Sequence, residues 1–203
     1  MSYKYNTVCR LCKSTDLVKV LDLGKMPLAG NFLKKSQFKK EKSYPLRLYF
    51  CNNCKLVQLL DIVSKEELFQ KHIYLSSVSK ALSQHFADYA KDAVKRFHPR
   101  IIVEIGSNDG VLLKPFKELG VRAVGIEPSK KVADIARSKG LEVITDFFTV
   151  NLAKDIVRKY GRIDIVCANN VFAHIDDLDE VVNGIKVLLK DNGVFMFEVH
   201  YLV

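Results

Sequence analysis

No run of about 18 uncharged apolar residues occurs in the chain, so the sequence offers no helix able to cross a bilayer. The opening residues, Met1-Ser2-Tyr3-Lys4-Tyr5, have neither the apolar stretch nor the cleavage site of a secretory leader. These absences predict a cytoplasmic protein, in which disulfides are not expected. Acidic residues are scarce at one end only. Residues 1–60 hold 12 Lys/Arg against 3 Asp/Glu, whereas residues 61–203 hold 20 against 20. The formal net charge of +9 therefore belongs to the first part of the chain. At 203 residues, 48% hydrophobic and 27% charged, the composition is that of a globular protein. The length suits one domain plus a small module.

Four of the five cysteines fall early, as Cys9-x-x-Cys12 and Cys51-x-x-Cys54. Two such turns, each aiming two sulfurs at one point, are what a tetrahedral thiolate site requires. The alternatives are two disulfides or four unrelated thiols, and the expected compartment argues against disulfides. The 38 residues between the pairs exceed the usual ribbon spacing, so that segment has structure of its own. A closed four-sulfur site has no open coordination position, which makes Cys9, Cys12, Cys51 and Cys54 ligands of a structural, non-catalytic Zn2+. Four thiolates and one divalent ion lower the charge of this module from +9 to +7. A basic zinc ribbon suggests nucleic acid as a partner. Against that, the lysines cluster in Lys34-Lys35-Ser36-Gln37-Phe38-Lys39-Lys40-Glu41-Lys42, which reads as a solvated loop without interleaved aromatics.

Three regions follow: a zinc-binding module over 1–61, a helical connector over 62–98, and an α/β domain over 99–203. Leu56–Leu60 reads as a short strand, and Ser64-Lys65-Glu66-Glu67 as a capping box. Between Ser79 and Phe97 the residues Leu82, Phe86, Tyr89, Ala93 and Phe97 recur at helical spacing. His85 is expected on the same inward face, and His98-Pro99 ends the helix.

From residue 101 strands alternate with helical stretches: Ile101–Ile105, Ala123–Ile126, Glu142–Ile144, Ile163–Ala168 and Val194–Val199. This is the pattern of a Rossmann-like parallel sheet with helices on both faces. The ligand is expected at the carboxyl ends of the strands. The first turn, Gly106-Ser107-Asn108-Asp109-Gly110, has Asn108 where a dinucleotide fingerprint needs its middle glycine. No Gly-Lys-Ser/Thr follows, which removes a P-loop. A nucleoside-type ligand without a pyrophosphate remains, and Glu127, 17 residues past Gly110, is placed to take both ribose hydroxyls.

Glu104-Ile105-Gly106-Ser107-Asn108-Asp109-Gly110, Gly125-Ile126-Glu127-Pro128 and Asp146-Phe147-Phe148 resemble the S-adenosylmethionine site of class I methyltransferases. The chain is more closely similar to the zinc-containing sugar C-methyltransferases. That resemblance runs in order through the Cys-x-x-Cys pairs, Leu23–Phe32, Tyr44-Pro45-Leu46, Leu56-Val57-Gln58-Leu59, Tyr74, His85-Phe86, Ala168–His174 and Glu198–Leu202. It implies that Glu104, Gly106, Asn108 and Gly110 hold the methionine part of the cofactor and that Glu127 holds the ribose. Asp146 and Phe147 would flank the adenine, with Asn169 beside the sulfonium. It further implies a nucleotide-linked 4-keto-deoxysugar as substrate, methylated on carbon through an enolate, with His174 and Tyr74 handling the sugar.

Relatives in that family continue past Glu-Val-x-Tyr-Leu through a Tyr-x-Glu-His segment carrying the proposed base, and complete a seven-stranded sheet. This sequence stops at Val203 with about five strands. A truncated chain or an incomplete gene product is the expectation, with the last strand an open edge available for self-association. Two other readings stand beside the sugar methyltransferase. One is a zinc-ribbon enzyme that modifies nucleic acid, against which Asn169-Asn170-Val171-Phe172 stands where Asn/Asp-Pro-Pro-Tyr/Phe is usual. The other is a non-catalytic module that binds the cofactor or a partner.

Overall fold

The computed structural model describes residues 3–30, 33–70 and 75–200. The chain divides into two units, Met1–His72 and Ile73–Val203.

The first unit is built from β1 (Tyr3–Tyr5), β2 (Leu17–Pro27), β3 (Ser43–Cys51), β4 (Val57–Leu59) and β5 (Asp61–Val63). Strands β2, β3 and β4 form an antiparallel sheet in that order, and β1 pairs antiparallel with β5. The lysine-rich segment is a 3-10 turn, Lys35–Lys40, with no buried residue, so its charges are solvated as expected. Ser64 Oγ accepts from Glu67 N at 3.3 Å, the forward half of the expected capping box. The Glu67 carboxylate takes Lys42 and Tyr44. One buried charge organises the small core. The Asp61 carboxylate accepts both Arg47 Nε (2.8 Å) and an Arg47 terminal nitrogen (2.5 Å), together with the Tyr3 hydroxyl (2.5 Å).

The second unit opens with α1 (Lys80–Phe97), followed by β6 (Ile101–Ile105), α2 (Leu113–Glu118), β7 (Arg122–Ile126), α3 (Lys130–Ser138), β8 (Glu142–Ile144), α4 (Val150–Tyr160), β9 (Ile163–Asn169), α5 (Leu178–Leu188) and β10 (Leu189–Glu198). All five strands are parallel, in the order β10-β9-β6-β7-β8. Strand β10 starts five residues earlier than the apolar run suggests, with a register shift between Leu189 and Val194. It forms one edge of the sheet, where Phe197 is half exposed.

Alternation along β6 sorts its side chains. Ile101, Val103 and Ile105 join the core under α4 and α5, whereas Ile102 faces the core under α1, α2 and α3. Glu104 shares the parity of Ile102, so its carboxyl enters the α1 side. Helix α1 is thus part of this domain and not a free connector: Phe86, Ala90 and Ala93 are in its core. Ser79 caps α1, its Oγ accepting from Leu82 N, and His98 closes it in the left-handed conformation (φ +47) before Pro99. The expectation for His85 fails. The buried stripe is centred on Phe86, Ala90 and Ala93, which leaves His85 at its margin, half exposed.

Candidate functional site

The two Cys-x-x-Cys turns have the same backbone. In each, the first cysteine N–H donates to the carbonyl five residues on, Cys9 to Ser14 (2.9 Å) and Cys51 to Leu56 (3.0 Å). The lysine after the pair is left-handed, Lys13 at φ +61 and Lys55 at φ +65. Its N–H returns to the first cysteine carbonyl, at 3.0 Å in one turn and 2.9 Å in the other. The four Sγ atoms lie within 4.8 Å of one another, with Cys9–Cys54 at 3.6 Å and Cys12–Cys51 at 3.5 Å. Those separations exceed a disulfide bond of about 2.05 Å and match the roughly 3.8 Å edge of a tetrahedron with Zn–S near 2.3 Å. Burial opposes ionisation of Cys9, yet hydrogen bonds from Cys12 N–H and Gln58 Nε2 hold its thiol down to about 6. Cys54 goes the other way, to about 12: the Leu56 N–H favours its thiolate, but burial and the adjacent sulfurs outweigh it. Four sulfurs this close ionise together only around a cation, so the donor set fits zinc. Gln58 is a supporting residue with no assigned role in the motif reading.

The other site lies where the strand order reverses, between β6 and β9. A cavity of about 400 Å³ opens there, lined by Glu104, Gly106, Ser107, Asn108, Asn169 and Asn170 on the loop side. The turn after β6 enters the left-handed region where it must bend: Gly106, Asn108 and Gly110 have φ of +70, +48 and +82. A Cβ on Gly106 would meet Val171 Cγ2 at 2.4 Å, and one on Gly110 would meet Leu141 Cδ1 at 2.1 Å. These two glycines thus serve close packing around the loop as well as its shape.

The acids around the loop have different tasks. Asp109 is completely buried and takes Lys139 Nζ at 2.7 Å, Ser77 N at 3.2 Å and the Ser77 hydroxyl. Burial opposes its charge, but the lysine and serine hydrogen bonds keep its carboxyl below the ordinary value. Asn108 Oδ1 accepts from Ser76 N at 2.9 Å, so the segment before α1 is fastened to the loop at two points. Ser76, Ser77 and Lys139 had no motif to announce them. Glu127 accepts Asn108 N at 3.0 Å and Ser129 N at 2.8 Å, one on each oxygen; burial raises its carboxyl despite them. Glu104 is raised well above the ordinary range, by burial first and then by the charges of Glu127 and Asp109. Its Oε2 is buried without a partner, as are Nδ2 and Oδ1 of Asn169.

Of the residues expected at the cofactor, Glu104, Gly106, Asn108 and Asn169 line the cavity. Gly110, at the end of the loop, and Glu127, which holds the loop through Asn108 N, are not in the lining. Asp146 is exposed after β8, its Oδ1 accepting from Phe147 N at 2.7 Å, and neither residue is in the lining. His174 is exposed on the 3-10 turn Phe172–His174, also outside it. Tyr74 lies outside the described residues. Glu198, Val199 and His200 form a further wall, which motif spacing did not assign.

A parallel sheet with its crevice at the reversal, a glycine-bent loop after the first strand and an acid after the second describe a methyltransferase domain. Residues 74–202 match the family described as methyltransferase domain, and the chain belongs to it. Residues 9–69 match a second family, described as a candidate zinc binding domain. The C-methyltransferase NovU of Streptomyces niveus is 34% identical over 199 residues, 96% of this chain and 47% of that protein. A ubiquinone biosynthesis O-methyltransferase of Bordetella avium (strain 197N) is 28% identical over 100 residues, 48% of this chain and 42% of its own. The chain thus spans about half the length of the curated relatives it matches. Among solved structures, the PH0226 protein of Pyrococcus horikoshii OT3 shares 19% identity over 61% of this chain and 57% of that one, with a TM-score of 0.49, too low to bear on function. Among the described residues no helix is long and apolar enough to cross a membrane.

Proposed function

We propose that this chain is the zinc-bearing, cofactor-binding part of an S-adenosylmethionine-dependent methyltransferase acting on a carbon atom of a nucleotide-linked 4-keto-deoxysugar. One observation carries the cofactor half of the reading. In a methyltransferase-family domain, a cavity at the sheet reversal is lined by Glu104 and Asn169, whose Oε2 and side-chain amide atoms are buried without a hydrogen-bond partner. Buried polar atoms are rarely left unpaired, and an amino-acid-bearing cation supplies what these lack. Asn108 in place of the middle glycine argues against a pyrophosphate there. When bound, S-adenosylmethionine supplies a methyl group on a positively charged sulfur.

The chain's own residues divide the remaining work. Glu104 presents a carboxyl that a neighbouring cation would return to its ionised form. Glu127 fixes the Asn108 N–H and keeps further lone pairs for a ribose diol. Asp146 and Phe147 are proposed for the adenine, and Asn169 for the reacting end. In the 4-keto sugar that the resemblance implies, attack by carbon needs a proton removed beside the carbonyl, and the site must align the two reactants closely. His174 and Tyr74 are proposed to handle that sugar. Support for carbon as the acceptor is the name of the Streptomyces niveus relative and the family resemblance of the whole chain. A cytoplasmic location belongs to the same reading, supported by five cysteines without a disulfide among the described residues.

The test is a melting curve with and without S-adenosylhomocysteine, beside a zinc determination. Ligand at 100 times its dissociation constant adds about 2.7 kcal/mol to the stability of the binding unit. One zinc per chain is expected, lost in Cys51→Ser. An unmoved melting curve removes the cofactor, and a metal-free protein with intact fold removes the zinc.

A further inference from the structure

The end of β10 supplies a separate wall of the cavity, Glu198, Val199 and His200. Its central group is the Glu198 carboxylate, and two side chains fix it. Asn170 Nδ2 donates to Oε1 at 2.9 Å, and His85 Nε2 lies 2.6 Å from Oε2. An ionised carboxylate only accepts, so the imidazole carries its proton on Nε2. The backbone adds a third restraint. Asn170 is left-handed (φ +56), and its N–H donates to the Glu198 carbonyl at 2.7 Å, tying the ends of β9 and β10 together. The carboxylate therefore has a set position, its side chain 35% exposed, and each oxygen keeps a lone pair. Beside it, Leu82 and Phe86 give the same cavity an apolar side. A fixed anionic acceptor next to an apolar surface suits a ligand with a ring to lay down and a hydroxyl to donate.

We infer that Glu198 recognises the methyl acceptor: held by Asn170 and His85, its carboxylate takes a hydrogen bond from an acceptor hydroxyl. His85 is a positioning residue that acts through Glu198. The assignment rests on the sugar reading above, and deepens it by naming the residue that selects the sugar.

The experiment is calorimetric titration of thymidine-diphosphate-linked 4-keto-6-deoxyglucose into the full chain saturated with S-adenosylhomocysteine. A parallel titration measures S-adenosylhomocysteine alone. In Glu198→Gln the frame survives, because the imidazole can change tautomer and accept from the new amide. Sugar-nucleotide affinity then falls about 10- to 100-fold, the range for a hydrogen bond to a charged group. S-Adenosylhomocysteine affinity falls by a clearly smaller factor, since Glu198 is not among the residues assigned to the cofactor. His85→Phe removes the donor and weakens the sugar nucleotide alone, and His85→Gln, whose amide still donates, recovers most of that loss. Wild-type sugar affinity in Glu198→Gln overturns the inference, as does an equal loss of both ligands. A wild-type chain that binds S-adenosylhomocysteine but no sugar nucleotide overturns the sugar reading and this inference together. One that binds neither overturns the cofactor reading as well.

Discussion

Gly110 and Gly120 share a left-handed backbone but differ in their surroundings, and the steric difference can be weighed. Both are left-handed, at φ +82 and +79, so alanine at either is strained by the backbone alone. That strain is about 1–2 kcal/mol, offset by about 0.4–1 kcal/mol because alanine stiffens the unfolded chain. At Gly120 no atom lies within 4 Å of the added Cβ, so Gly120→Ala should cost about 0–1.5 kcal/mol. At Gly110 the Cβ would come within 2.1 Å of Leu141 Cδ1, with Ala136 Cβ at 3.5 Å. Leu141 and Ala136 are both buried in the core on that face of the sheet, so neither has open space to move into. Overpacking of this kind costs about 1–3 kcal/mol more. The chain contains no tryptophan, so unfolding in urea is followed by far-ultraviolet circular dichroism, with zinc saturating. Equal midpoints for the two variants would refute the steric argument and leave only backbone shape as the reason for glycine at 110.

Two further outcomes follow from buried charges. Glu104 holds its proton more tightly in the native state than in the unfolded chain. Its contribution is therefore full below the ordinary value of 4.5 and is lost as pH rises toward the raised native value. Unliganded Glu104→Gln should melt higher than the parent, by a margin that widens above about pH 4.5; calorimetric scans that show a constant margin contradict the assignment. In the first unit, Arg47→Met strands the Asp61 carboxylate, whose side chain is 1% exposed. The loss should be about 3 kcal/mol, at the lower end for a broken buried pair because Arg47 itself is 28% exposed. Urea midpoints of the zinc-loaded protein decide it, and a change under 1 kcal/mol, roughly the limit for a surface pair, would place the pair on the surface in energetic terms.

Local chemistry made much of this protein readable before any coordinates. The cysteine pairs imply their own turn geometry, because a two-residue spacing on a tight turn brings two sulfurs together. Runs such as Ile101–Ile105 and Ile163–Ala168, short, rich in β-branched residues and alternating with helical stretches, read as strands covered on both faces. The glycines of the loop after β6 mark where the backbone must enter the left-handed region. Glu104, Gly106, Asn108 and Asn169 could be grouped because each sits at or beside the carboxyl end of a strand in a topology with few alternatives.

What the sequence could not supply depends on elements far apart in the chain. Helical periodicity placed His85 inward, since Leu82 and Tyr89 flank it. Only the packing of α1 on the sheet decided that the stripe runs through Phe86, Ala90 and Ala93, leaving His85 to pair with Glu198, 113 residues away. The attachment of Ser76 and Ser77 to Asn108 and Asp109 is equally silent, because serines in a connecting segment carry no period. The raised proton affinity of Glu104 is also a tertiary property. Parity put it on the α1 face of β6, and the burial supplied by that face, with Glu127 and Asp109 nearby, made its charge costly. Sequence alone thus determined which segments bend, pair and bind metal, since those are short-range consequences of covalent geometry. Tertiary structure decided which polar groups lie buried, paired or orphaned around the cavity, because desolvation depends on neighbours that the chain brings together only when folded.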